Sequence, residues 1–221
     1  MPTFETIRQG ADERALIRKI QKAVAFLAPI TVDLPETLYT TGALTDLKAA
    51  GWLPIGMVTP DGYEFGRDVS KEDVTSFGYA GPVRSDVTEV ARSISMTPLE
   101  TGRRHMLELI YGTDLTAVTQ STTTGEIVIN EPDLPVDKEY RLLIIGSDGP
   151  AAENWIIGRG YGRVKLASTD SQTWGTSDAV SQSLTFDVFT DTEIGTPVRH
   201  YIGGTAAVTH KAVLGFTQAG A

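Results

Sequence analysis

SISMTPLETGRRHMLELIYG, residues 93–112, reads as a strand that turns directly into an amphipathic helix. Thr97 stands as N-cap, Pro98 at the first helical position and Glu100 two residues further on, a capping box with the favoured proline. Gly112 suits the left-handed residue that closes a helix. Leu99, Met106, Leu107 and Ile110 form an apolar stripe. Glu100–Arg104 and Arg104–Glu108 sit at i, i+4 away from it, each pair contributing a few tenths of a kcal/mol. The spacing predicts a helix over 98–111 that must bury one side.

The preceding residues 83–96 alternate as a strand. Val90, Ile94 and Met96 share a face with Arg92, while Val87, Glu89, Ala91, Ser93 and Ser95 take the other. The first set is core-facing and the second, small and polar, faces water. Further upstream, GWLPIGMVTPDGYEF (51–65) reads as a hairpin. Its Thr59-Pro60-Asp61-Gly62 has proline and glycine at the positions a type I turn favours. The polar stretch 66–82 then reads as a long hairpin loop, of a length that is usually functional or disordered.

The N-terminal residues 1–11 are expected to be a flexible arm. Asp12 can cap a helix over 13–27, because Leu16, Ile20, Val24 and Leu27 recur on one helical face, and Pro29 would end it. A helical turn is expected near residues 44–49. Downstream, strands are expected at 126–130, 140–147, 155–166 and 183–190, with weaker ones at 198–202 and 206–208, separated by turn residues. No internal repeat or linker appears, so 12–221 reads as one domain that is mainly β.

In NWIIGRGYGRVKL (154–166) the glycines Gly158, Gly160 and Gly162 leave one strand face bare. Glycine in a strand marks close approach of another element. The 98–111 helix is the expected occupant, packing Leu99, Met106, Leu107 and Ile110 there. The other face carries Arg159, Tyr161, Arg163 and Lys165. Three cations on one sheet face of a chain with net charge −9 call for an acidic neighbour, in this chain or another copy.

Composition excludes several function classes. Hydrophobic residues make up 41%, enough for a core. There is no cysteine, hence no disulfide, thiolate metal site or thiol nucleophile. The acidic balance disfavours non-specific nucleic-acid binding, which depends on neutralising phosphates. The polar, acidic start MPTFETIRQGADER is unlike a signal peptide, and no window reaches the ~20 apolar residues of a membrane span, so no membrane anchor is expected. GRGYGR is not GxGxxG and opens no helix, so it reads as strand and not as a dinucleotide loop. His105, His200 and His210 lack ligand spacing, and no GxSxG or GxxxxGK[ST] occurs. Acidic pairs such as Glu72-Asp73 are most simply solvated. No catalytic, cofactor or metal residue is assigned, and the chain reads as a non-enzyme whose exposed sheet edges want partners.

The ordered set AFLAPITVDLP, GWLPIGMVTPDGYEF and DVTSFGYAGPVRSDVTEVARSISMTPLETGRRHMLELIYG resembles the major tail tube proteins of long-tailed, non-contractile (siphovirus-type) bacteriophages, especially those of actinobacterial hosts. The resemblance covers residues 25–112; the C-terminal half adds only its β pattern and the SLTFDVFTD strand. It implies two packed antiparallel sheets with a flanking α-helix. Six copies would form a ring whose inner sheets join in one β-barrel, and rings would stack around a tape-measure protein. Tail terminator and tail-tip proteins would be further partners, in a virion tail assembled in the host cytoplasm. It also implies that the loop 66–82, with Arg67, Asp68, Lys71, Glu72, Asp73, Phe77 and Tyr79, and the chain termini bridge successive rings.

DNA crossing such a lumen without specific binding needs a polar, net negative wall. Alternation nominates Glu89, Ser93, Ser95, Thr185 and Asp187, with Leu184, Phe186 and Val188 turned inwards. Arg159, Arg163 and Lys165 would grip DNA there and are expected at a subunit contact instead. A tail-tip, adhesin or capsid-decoration module is the alternative reading, and a glycan hydrolase a third; the former needs clustered exposed aromatics, and Trp52, Trp155 and Trp174 are scattered.

Overall fold

The computed structural model describes residues 2–177 and 179–217; Met1 of the expected arm and the last four residues of the expected 12–221 domain lie outside them. The elements run α1 (Phe4–Ala11), β1 (Lys22–Pro29), β2 (Tyr39–Thr40), β3 (Ala43–Leu44), β4 (Leu53–Pro54), β5 (Val58–Val74), β6 (Arg84–Pro98), α2 (Arg104–Tyr111), β7 (Tyr140–Asp148), β8 (Trp155–Thr169), β9 (Leu184–Phe189), β10 (Val198–Gly203), α3 (Thr205–Thr209) and α4 (Lys211–Leu214). The protein is mainly β. Eight strands form one antiparallel network in the order β4-β1-β7-β8-β9-β6-β5, with β10 also on β8.

β8 is the hinge of this network. β7 runs along one of its edges. On the other edge β10 pairs with Ile156–Tyr161, and beyond that β9 pairs from Arg163 to Thr169. Two arms of sheet therefore share one strand and curve around a common core. That core takes Ala25, Leu27, Leu142, Ile144 and Tyr161 from one arm and Ile94, Met96, Leu184 and Phe186 from the other. The expected inward set of β9 is thus in place, as is the core face of β6.

α2 seals this core with Met106 and Leu109, both buried, and with Ile110. It is shorter than expected. Thr97 and Pro98 belong to β6, and Arg103 stands at the N-cap without a side-chain cap. The Glu100 carboxylate does not cap; it accepts from the Met57 N–H at 2.9 Å and pairs with Arg103. A side chain at Gly56, whose φ is +97°, would strike that carboxylate. His105 Nε2–H donates to Pro54 O at 2.9 Å, so helix and 52–58 segment are tied together. Gly112 closes the helix in the left-handed region, as the sequence predicts. Leu107 and Leu99 are only partly buried, whereas Leu109, absent from the expected stripe, is covered.

The glycine face is filled by something else. A Cβ on Gly158 would meet Leu38 and Tyr201, one on Gly160 would meet Leu34, and one on Gly162 would meet Asp191 and Ile194. The occupant is the 30–51 segment together with β10, which build a second core of Ala28, Leu34, Leu38, Leu47, Trp52, Leu143, Ile156 and Tyr201. Tyr201 Oη donates to Pro35 O, and Arg199 reaches the same carbonyl. The close approach was legible; α2 is on the opposite face because Tyr161, not a glycine, points there.

Other expectations are corrected. Residues 22–29 are strand, not the end of a helix. β1 is covered on both faces, so its apolar run lacks a period that separates strand from helix. Residues 4–11 are helical with no side chain buried. The 59–62 turn signals make a bulge inside β5, between the pairs Val58↔Pro98 and Tyr63↔Met96, and not a reversal. The reversal comes later: β5 and β6 stay paired to Val74↔Arg84, so 66–82 is mostly strand, not loop. No strand forms at 126–130, and 206–208 lies in α3.

Replacing Gly160 by leucine places a side chain on Leu34, whose Cδ1 is 2.8 Å from the ideal Cβ position. Overpacking of this kind costs about 1–3 kcal/mol. Thermal melting should show a drop of several degrees; an unchanged Tm would contradict the packing of the 30–51 segment.

Burial also holds His105 below its ordinary pKa, so the folded chain takes up this proton less readily. The unfolded chain then binds the extra proton first, and stability should decline as pH falls from about 6.5 downwards. His105→Gln should flatten that decline in melts taken across this range.

Candidate assembly surfaces

The register of the second arm brings the expected polar set together. Ser93 pairs with Asp187 and Ser95 with Thr185, whose hydroxyls lie 3.1 Å apart. Gly66 opposes Ser93, Glu64 opposes Ser95 and Asp68 opposes Ala91. Glu89 pairs with Ser70, and from it Ala91, Ser93 and Ser95 continue on the same side. Thus Glu89, Ser93, Ser95, Thr185 and Asp187 share one face, away from the core, with small hydrogen-bonding neighbours.

Arg159, Arg163 and Lys165 do not share a face. Leu142 pairs with Tyr161 and Tyr140 with Val164, so two residues of β8 oppose Arg141 alone. This bulge reverses the alternation. Arg159 stays with Tyr161 on the core side, its guanidinium 4.0 Å over the Phe65 ring. Lys165 opposes Asp187 and so joins the polar face. There it is neutralised within the chain: its Nζ is 3.0 Å from Asp137, and Arg163 Nε is 3.2 Å from Glu139. The acidic neighbour inferred from the sequence is this chain's own 137–139 segment.

Beyond Arg92, β6 loses β9 and is paired with β5 alone. From Arg92 to Arg84 the two strands form a ribbon that projects roughly 30 Å, at about 3.3 Å per residue. Its residues from Arg84 to Glu89 are all exposed. Arg67 faces Arg92, Lys71 faces Val87, Glu72 faces Asp86 and Asp73 faces Ser85. The tip, 75–83, carries Phe77 and Tyr79, the former fully exposed. β5 ends the strand order, so its outer edge is unpaired along the ribbon.

A charge cluster around a buried arginine was missed by sequence reasoning. Arg141, 2% exposed, extends from β7 to Asp33 at 3.4 Å, Glu193 at 3.1 Å and the buried Asp191 at 3.6 Å. Asp191 Oδ1 also accepts from the N–H groups of Glu193 and Ile194. The cluster pins the 30–51 segment and the 191–196 turn to the sheet. Asp33 and Glu193 lie 108 and 52 residues from Arg141 along the chain, and only the fold brings them together.

Among the described residues no group of three or more His, Cys, Asp or Glu side chains is placed to hold a metal ion. Among these residues no helix is long and apolar enough to cross a membrane.

No protein-family model matches this chain, and no curated protein does. Solved structures similar to it include a chain of the native gene transfer agent virion, at 13% identity, covering 71% of this chain and 92% of that one, with a TM-score of 0.37. Another is in the extended sheath–tube complex of the extracellular contractile injection system PVC, at 9% identity, 92% and 99% coverage and a TM-score of 0.44. A third is in the anti-feeding prophage cap that terminates its tube, at 12% identity, 87% and 97% coverage and a TM-score of 0.42. At these values the likeness carries no functional weight.

Arg141→Ala should cost about 3–5 kcal/mol, since it removes the cation beside the buried Asp191 and leaves that side chain only its two backbone N–H partners. Lys165→Ala should cost less than about 1 kcal/mol, because its pair with Asp137 is half-exposed. Denaturant melts of the two variants that came out equal would contradict this division between structural and surface charge.

Proposed function

We propose that this chain is the structural subunit of a phage-type tail tube. The β5–β6 ribbon carries the reading: roughly 30 Å of two-stranded sheet with a free outer edge is marginal in water by itself and calls for another copy to cover it. In this reading residues 12–221 act as one domain, and the strand edges of each copy are completed by the next. Six copies per ring, as the resemblance over residues 25–112 implies, would stack around a tape-measure protein, with terminator and tip proteins at the ends. The assembled particle would be the virion tail of a non-contractile phage of an actinobacterial host, built in the host cytoplasm.

The face bearing Glu89, Ser93, Ser95, Thr185 and Asp187 would line the channel. Its four carboxylates at Glu64, Asp68, Glu89 and Asp187 are in no ion pair among the described residues, while Arg163 and Lys165 are neutralised by Glu139 and Asp137. A wall with that balance repels phosphates and lets DNA slide. Arg67, Asp68, Lys71, Glu72 and Asp73 on the ribbon, with Phe77 and Tyr79 at its tip, would reach the neighbouring ring, as would α1 with its exposed Phe4 and Ile7. Mixed charges along a free edge keep such a ribbon from pairing indiscriminately before assembly. The adhesin-like alternative has less support: Trp52 and Trp155 are buried, leaving Trp174 exposed by itself among the tryptophans.

Concentrated protein should form rings or tubes in negative-stain microscopy; isolated particles at every concentration would refute the proposal. Phe77→Ser combined with Tyr79→Ser touches only exposed side chains and should change stability by no more than about 0.5 kcal/mol. It should nevertheless suppress tube formation. Undiminished tubes would remove the ribbon tip from the contact.

A further inference from the structure

A second feature is left unexplained by edge pairing. A cavity of about 600 Å³ opens between the β5 bulge and the core-side face of β1, β7 and β8. Arg18, Lys22 and Arg159 line it, against one acid, Asp61, and its walls include Ile144, Ile157 and Phe65. Among the described residues none of these three cations is in an ion pair. Three of the residues that line the cavity each hold a buried polar atom without a hydrogen-bond partner: Arg18 Nε, Thr59 Oγ1 and Tyr63 Oη. An arginine Nε can only donate, and both hydroxyls can donate. Orphaned donors, cations and apolar walls at one place fit an acceptor-rich, anionic ligand with an apolar side chain.

The chain carries such a segment elsewhere. In Glu131-Pro132-Asp133-Leu134-Pro135, Leu134 is 86% exposed. Neither Glu131 nor Asp133 is in an ion pair among the described residues. The chain bends at Asp133–Leu134, and prolines on both sides of that pair restrict the backbone, which limits the order lost on binding. It cannot fill its own cavity: it precedes Tyr140 at one end of β7, while the cavity includes Gly146 near the other, roughly 20 Å away at about 3.3 Å per residue.

We infer that the cavity rimmed by Arg18, Lys22 and Arg159 receives the Glu131–Leu134 segment of a second copy of this chain. Leu134 enters between Ile144 and Phe65, and the carboxylates of Glu131 and Asp133 meet the cations of the rim. Donor and acceptor differ, so the contact is head-to-tail and propagates from copy to copy. The inference rests on the self-association proposed above and names its charge-selective contact.

The test uses full-length protein and three variants: Lys22→Glu with Arg159→Glu, Glu131→Lys with Asp133→Lys, and all four together. Each reversal pair alone should abolish or strongly slow assembly by light scattering, and the fourfold variant should restore it. A fluorescent peptide of residues 128–137 should bind the wild-type chain and lose affinity about tenfold or more against the cavity variant. Melting curves confirm folding; if the cavity variant does not fold, Arg159→Gln takes its place in both assays. Wild-type assembly with unaffected variants, no rescue, or no peptide binding overturns the inference and leaves the tube reading standing. Binding of a short DNA duplex in place of the peptide also overturns it. A wild-type chain that never assembles removes both.

Discussion

The bulge in β8 at Gly162 and Arg163 is the constraint on which the architecture depends. One strand has to serve two arms of sheet that turn different faces to the core. A regular strand keeps strict alternation and would send Arg163 and Lys165 inward with Tyr161. The extra residue shifts the phase, so Val164 and Leu166 enter the core while both cations emerge beside Asp137 and Glu139. The bulge also accentuates twist, which lets β10 leave the edge of β8 and β9 take it over. Gly162 sits where Asp191 and Ile194 press on the backbone, leaving no room for a side chain.

From that hinge follow two cores and one bare face. The core between the arms is closed by α2, and the outer face of the first arm is covered by the 30–51 segment, anchored through Tyr201 and the buried Arg141 cluster. The outer face of the second arm has no such cover. Its residues are mostly small or acidic, with Arg163 and Lys165 paired to Glu139 and Asp137, so exposure there costs little, and in the proposed tube it becomes the channel wall. The ribbon extends this same arm, so the proposed channel face and the proposed inter-ring contact lie on one continuous strand pair.

Much of this was readable before any coordinates. Alternation in 83–96 and 184–188 placed Ile94, Met96, Leu184 and Phe186 inside and Ser93, Ser95, Thr185 and Asp187 outside, because a strand has a fixed two-residue period. Gly112 announced the helix end, since its left-handed backbone suits glycine. The glycine run announced a close neighbour but not its identity; adjacency of Gly160 to Leu34 depends on how the chain returns, which local pattern does not encode. The ribbon was misread as loop for a related reason. A strand pair wet on both sides has no apolar period, and Thr59-Pro60-Asp61-Gly62 supplied turn chemistry that the fold spends on a bulge.

By itself, then, the amino-acid order determined the β-rich class, the inward and outward sets of the regular strands, the helix terminus and the chain's acidic, cysteine-free character. These are properties of short windows, set by backbone period, side-chain sterics and charge. Tertiary structure alone decided that residues 22–29 are strand, that α2 and the 30–51 segment take opposite faces of β8, that Arg141 gathers Asp33, Asp191 and Glu193, and that Arg159 parts from Arg163 and Lys165. Each of these turns on free energies exchanged between residues distant in sequence, where burial of both sides or pairing of a desolvated charge outweighs the local preference.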